Sequence, residues 1–186
     1  MLKCEATLKT ALLAFLRAEL DSPFESEHVR ATLERVGVPE GMIIGTAADI
    51  ETVWNFFMEY RGRQTVFDGL NLRVLDWYWT ELTLEDVETK TWTCIHHFEE
   101  TFGTRRPNAI AKRWNESLEP NGVLEKIQKG QKLEPPILIG DPNFQKLVIL
   151  EGHNRLISYL RDPSAVQFPV AALVGTSATV SRWCQW

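Results

Sequence analysis

The residues best equipped for chemistry fall in one run, Leu147-Val148-Ile149-Leu150-Glu151-Gly152-His153-Asn154-Arg155-Leu156. A continuous apolar stretch gives way there to an acid, a glycine, a histidine, an amide and an arginine, and then to Leu156, Ile157, Tyr159 and Leu160 at helical spacing. The run therefore reads as a strand-to-helix seam. Gly152 permits a sharp turn and a close approach to the backbone. The amides of the first helical turn have no acceptor within the helix, and the macrodipole adds partial positive charge beside them. Arg155 brings a guanidinium to the same point, which makes the seam a cradle for phosphate or carboxylate. Glu151 would repel such an anion unless Mg²⁺ bridges the two or the carboxylate acts as a base toward an attacking hydroxyl. His153 could donate to phosphate or shuttle a proton, and Asn154 could add a polar contact. The same residues also fit a purely structural turn, in which Arg155 pairs with Glu151 and His153 faces water.

A second candidate is Thr104-Arg105-Arg106-Pro107-Asn108-Ala109-Ile110-Ala111-Lys112-Arg113, with four basic residues and no acid. Pro107 opens a helix well, so Arg105 and Arg106 would stand at its N-terminus as a second wall around distal phosphates. The alternative is a solvated helix face. In Trp92-Thr93-Cys94-Ile95-His96-His97-Phe98-Glu99-Glu100 the paired histidines invite a metal, but adjacent side chains diverge on a helix and HExxH spacing is absent, so no metal ligands are assigned. Trp77, Tyr78, Trp79 and Trp92 could stack a base, yet alternating aromatics on a strand more often build a core. Trp183-Cys184-Gln185-Trp186 could dock on the domain or dimerise. No GxxxxGK[ST] loop, GxGxxG after a strand or GxSxG elbow is present.

The elements that must position these residues follow from periodicity and punctuation. Apolar spacing predicts helices over residues 4–20, 27–36 and 49–60, with a turn at Pro39-Glu40-Gly41 and a loop over 63–75. Asp76 to Thr83 reads as a strand leading into an acidic helix start at Leu84. Residues 105–129 read as mostly helical, broken at Pro120-Asn121-Gly122. Strands follow at 135–140 and 147–150, then a helix to Leu160 and a strand near 169–174.

Composition bounds the function. The 186 residues, 44% hydrophobic and 24% charged, suffice for a sizeable core. A formal net charge of −5 weighs against whole-surface attraction to nucleic acid or anionic membrane. Three scattered cysteines without CxxC spacing suggest neither a disulfide framework nor a zinc knuckle, and favour a cytoplasmic setting. Lys9, Arg17 and Glu19 interrupt the first apolar stretch, so no leader peptide is expected, and no window is apolar enough to span a membrane.

The seam and its flanking strands resemble the core of the ParB/sulfiredoxin fold, in which a Gly-x-x-Arg box opens a helix and holds nucleotide phosphates. Trp79 to Val87 resembles the entry strand and short helix of that fold. Tyr60-Arg61-Gly62, Gly103-Thr104-Arg105-Arg106-Pro107 and Glu151-Gly152-His153-Asn154-Arg155-Leu156, in this order, are similar to an uncharacterised bacterial family of ParB-like proteins. The sulfiredoxin nucleophile is a cysteine, and His153 stands in its place, so sulfinic acid reduction is not implied. ParB partition proteins continue into a helix-turn-helix reader, and only about thirty residues follow the box here. Free-serine kinases of the fold set an acid beside a Gly-His box, as Glu151 and His153 do.

The expectation is an α+β protein, with a helical N-terminal region (1–70) and a ParB/sulfiredoxin-like domain with a small mixed sheet (71–186). It would bind a nucleotide with Mg²⁺, or another phosphorylated small ligand, at the seam. Gly152, Asn154, Arg155, Arg105 and Arg106 would be the binding residues, with Glu151 and His153 as the catalytic pair if phosphotransfer or hydrolysis follows. The rival readings are a nucleic-acid-binding protein or nuclease, and a non-enzymatic regulatory module.

Overall fold

The structure is a computed structural model that describes residues 3–22, 25–45, 47–60, 67–94, 101, 103–117 and 122–186, with the backbone alone for 114–117. His96, His97, Glu99 and Glu100, and Arg61-Gly62 of the resemblance, lie outside the described residues.

The architecture is mixed α+β. Its strands are β1 (Lys3–Glu5), β2 (Asp76–Leu82), β3 (Thr91–Trp92), β4 (Ile137–Gly140), β5 (Leu147–Glu151) and β6 (Val170–Thr176). The described helices are α1 (Leu8–Leu20), α2 (Ser26–Val36), α3 (Glu40–Ile44), α4 (Ile50–Tyr60), α5 (Leu84–Lys90), α6 (Pro107–Ser117), α7 (Gly122–Gln128) and α8 (His153–Arg161). The strands form one sheet in the order β1-β2-β6-β4-β5-β3. Pairings β6–β4 and β5–β3 are parallel and the other three antiparallel.

Side-chain alternation on the central strands splits the core into two clusters. Ile137, Ile139, Val148, Leu173 and Trp77 join α1 to α4 on one face. Leu138, Leu147, Ile149, Ala172, Val174 and Leu82 join Val87 of α5 and Leu156 and Tyr159 of α8 on the other. Coverage on both faces explains why β4 and β5 read as unbroken apolar runs. It also shows that the helices up to Tyr60 and the sheet share one apolar cluster. Ile110 and Ala111 of α6 then pack on Ile157, outside α8.

Several boundaries differ from the periodicity. Residues 3–5 form a strand against β2, because the Thr7 hydroxyl accepts the Thr10 amide at 3.1 Å and starts α1 only at Leu8. Glu40 to Ile44 is a short helix after Pro39 rather than a turn. The two-residue strand β3 carries too little pattern to be read from sequence. By contrast the acidic helix start at Leu84 is α5, held by a capping box between Thr83 and Asp86. Trp77 and Trp79 face one core and Tyr78 the other, as a packing strand requires. Among the described residues no helix is long and apolar enough to cross a membrane.

Candidate functional site

Antiparallel pairing sets Ile137 of β4 opposite Glu151 of β5. The chain entering β4 therefore lies against the chain leaving β5, and Glu134, Pro135 and Pro136 meet Gly152 and Arg155. Gly152 caps α8 with φ +95°, in the left-handed region, and no side chain caps the helix. A methyl group on Gly152 would lie 2.9 Å from Pro136 Cβ and 3.1 Å from Arg155 Nη2, so glycine is required by both conformation and space. The first closed helical bond runs from the Leu156 amide to the Gly152 carbonyl at 3.0 Å. The amides of His153, Asn154 and Arg155 thus precede the helix's own acceptors.

Arg155 points inward. Its Nη2 pairs with the Glu151 carboxylate, and its Nη1 donates to the Glu134 carbonyl and, at 3.2 Å, to that of Pro135. Side-chain exposure is 8% for Arg155 and 19% for Glu151, so the pair is largely withdrawn from water. Burial pulls the Arg155 pKa down to about 10, against the opposing fields of Tyr159, Glu134, Glu19 and Asp21. The guanidinium stays charged at neutral pH. This is the structural-turn geometry for Arg155 and Glu151; as a base, the Glu151 carboxylate is already engaged.

His153 does not face water as the structural-turn alternative has it. Its Nε2 accepts the Cys94 amide at 3.4 Å, which assigns the proton of the neutral ring to Nδ1. Cys94 in turn donates its thiol to the Ile149 carbonyl at 3.0 Å, and burial pushes that thiol up to about 12. Asn154 is exposed, and its side chain has no partner among the described residues.

The two arginines of the basic run separate. Arg105 adopts φ +56° and is spent on carbonyls: Thr93 at 3.0 and 2.8 Å, Trp186 at 3.0 Å, and Gln185. It staples β3 to the Trp183–Trp186 segment, which docks with Trp183 buried. Arg106 donates to the Thr89 and Thr91 carbonyls at 2.7 and 3.2 Å and lies over the Trp92 ring, which packs with the α1–α4 cluster. The structure thus brings Glu151, Gly152, His153, Asn154 and Arg155 together, commits Arg105 to Thr93, Gln185 and Trp186, and turns Arg106 to Thr89, Thr91 and Trp92. Lys112 and Arg113 are exposed on α6.

Sequence reasoning missed Glu134, Pro135, Pro136, Thr93 and Cys94. Pro135-Pro136 before an apolar strand was the available signal, but only the hairpin register shows what those residues face. Among the described residues no group of three or more His, Cys, Asp or Glu side chains could hold a metal ion. Comparison of the chain with family models, with curated proteins and with solved structures found no match.

Proposed function

We propose that the N-terminus of α8 binds a phosphate group of a nucleotide or of another phosphorylated small ligand, as the resemblance to ParB/sulfiredoxin-like domains implies. The observation that carries this reading is the left-handed Gly152 cap without a side-chain partner, set at the end of a buried strand. Amides ahead of the first helical acceptor, the macrodipole and the exposed Asn154 side chain supply the donors.

The Glu151–Arg155 pair specifies what kind of phosphate fits. A bare anion that drew Arg155 outward would leave a part-buried carboxylate without its cation, which is costly. A nucleotide carrying Mg²⁺ would bring both signs, with phosphate for Arg155 and a cation that Glu151 would hold. One carboxylate plus phosphate suits Mg²⁺, which seldom uses an all-protein cage. The bound cation would supply charge neutralisation at the phosphate. Phosphotransfer or hydrolysis would be a further step, for which Glu151 is the base only where it does not hold the cation, with His153 as the proton carrier.

The test is binding of ATP, GTP and CTP with and without Mg²⁺, read by thermal shift and calorimetry, in the native chain and in Asn154→Asp. That substitution puts a carboxylate where phosphate would lie, on an exposed residue near a helix N-terminus that tolerates negative charge. Expected are a Mg²⁺-dependent rise in melting temperature and binding weaker by about tenfold or more in Asn154→Asp, whose own stability is kept. Absence of any nucleotide-dependent shift in the native chain overturns the proposal. That result would favour the second reading, a non-enzymatic module whose Arg155 braces the β4–β5 hairpin, which the inward guanidinium supports.

A further inference from the structure

The chain holds a second group of cations that the seam does not use. At the β3 edge of the sheet the Arg106 guanidinium lies 3.9 Å from the Trp92 ring centre. Lys146 Nζ lies 5.1 Å from the same ring and 4.4 Å from that of Trp186. Elsewhere a cation over an indole is neutralised: Arg73, 4.5 Å from the Trp54 ring, also pairs with Glu51 at 2.8 Å. Neither Arg106 nor Lys146 has a carboxylate partner among the described residues. In a chain of net charge −5, two half-buried cations left without an acid call for an explanation.

We propose that Arg106, Lys146, Trp92 and Trp186 form a second anion site, on the opposite face of the sheet from α8, that takes the phosphoryl or carboxylate group of a small molecule.

The donor inventory supports that chemistry. Nη1 of Arg106 is committed to the Thr89 and Thr91 carbonyls, whereas its Nε and Nη2 have no acceptor among the described residues. The same holds for the Lys146 ammonium and for both indole Nε1–H groups. These uncommitted donors are completed by a ligand made of acceptors, and an oxyanion is one. The indole faces hold the cations and the indole edges donate.

The framework is also fixed before any ligand arrives. The Lys146 amide donates to Asp141 Oδ2 at 2.8 Å, which sets where its stem leaves the chain. The Arg106 amide donates to Thr104 Oγ1 at 3.2 Å. Trp186 is held through its carbonyl by Arg105. The backbone that carries these side chains is therefore held in place before binding. Burial, followed by the fields of Arg105 and Arg106, pulls the Lys146 pKa down, which is the signature of positive charge without a counter-charge. An anion relieves it.

Calorimetry and tryptophan quenching in low salt test the site, with inorganic phosphate, pyrophosphate and succinate as probes. Lys146→Gln removes the charge but keeps an aliphatic stem against the indoles, Lys146→Arg restores charge, and Asn154→Asp reports on the seam. Expected are saturable binding of at least one probe to the native chain, affinity lowered about tenfold or more in Lys146→Gln, near-native affinity in Lys146→Arg, and no loss in Asn154→Asp. The order of affinities for pyrophosphate and succinate then tells phosphoryl from carboxylate ligands. The site is overturned if no probe binds the native chain, or if Lys146→Gln binds as the native chain does. Binding lost in Asn154→Asp but kept in Lys146→Gln would assign the anion to the seam and overturn the site equally.

Discussion

Replacing Glu151 by Gln and Arg155 by Met, singly and together, asks whether the seam is held by a desolvated ion pair. With 8% and 19% of the two side chains exposed, each single substitution strands a charge that is mostly out of water. Removing one partner of such a pair costs about 3–5 kcal/mol, and the residual exposure of Glu151 places this pair near the lower end, at about 3 kcal/mol for each change. Removing both partners strands no charge and leaves only the Glu134 and Pro135 carbonyls without their donor, so the double variant should cost about 3 kcal/mol rather than the roughly 6 kcal/mol of independent effects. The coupling is then about 3 kcal/mol. In a chain of 186 residues each single substitution should lower the melting temperature by roughly 6–12 °C. Urea unfolding followed by far-ultraviolet circular dichroism, completed as a double-mutant cycle, measures all three quantities. Singles costing less than about 1 kcal/mol and adding without coupling would refute the reasoning, because they would mean a solvated pair whose guanidinium is already free.

Two further expectations follow from neighbouring contacts. Gly152→Ala, with φ +95° and a Cβ 2.9 Å from Pro136, should destabilise by about 2–4 kcal/mol in urea titration, and a change below about 0.5 kcal/mol would contradict the tight approach. Cys94 should resist a thiol reagent in the native state while the exposed Cys4 and Cys184 react, and all three should react in denaturant. Burial raises the Cys94 thiol from 9.0 to about 12, with Arg105 opposing and Cys184 adding to it. Between those values the native state binds more protons than the unfolded chain, so stability should fall as pH rises through that window and fall less in Cys94→Ala. Equal native-state reactivity of the three thiols, or an alkaline slope unchanged in Cys94→Ala, would refute this.

What the sequence disclosed depended on the range of the interaction. Local signals worked: Gly152 after an apolar run marked the seam, the helix expected over 27–36 is α2, and the acidic helix start at Leu84 is α5. Long-range ones did not. Nothing in Lys3 to Glu5 shows that β2 lies beside it, and a helical stripe beginning at Leu8 hides a strand that ends at Glu5. The direction of Arg155 was undetermined for the same reason: spacing allowed both an outward guanidinium and a pair with Glu151, and the carbonyls of Glu134 and Pro135 that tip the balance arrive from another strand. Arg105 and Arg106 share a charge and adjacent positions, yet φ +56° at Arg105 sends the two side chains to different partners.

The last strand in the chain, β6, sits between β2 and β4 in the middle of the sheet. During synthesis, therefore, the antiparallel ribbon of β1 and β2 and the ribbon of β4, β5 and β3 have no shared border until residues 170–176 leave the ribosome. Folding of the sheet should therefore be governed by distant pairings that wait for β6. A nascent chain stopped short of Val170 would hold two unjoined half-sheets, each with a naked inner border that invites aggregation.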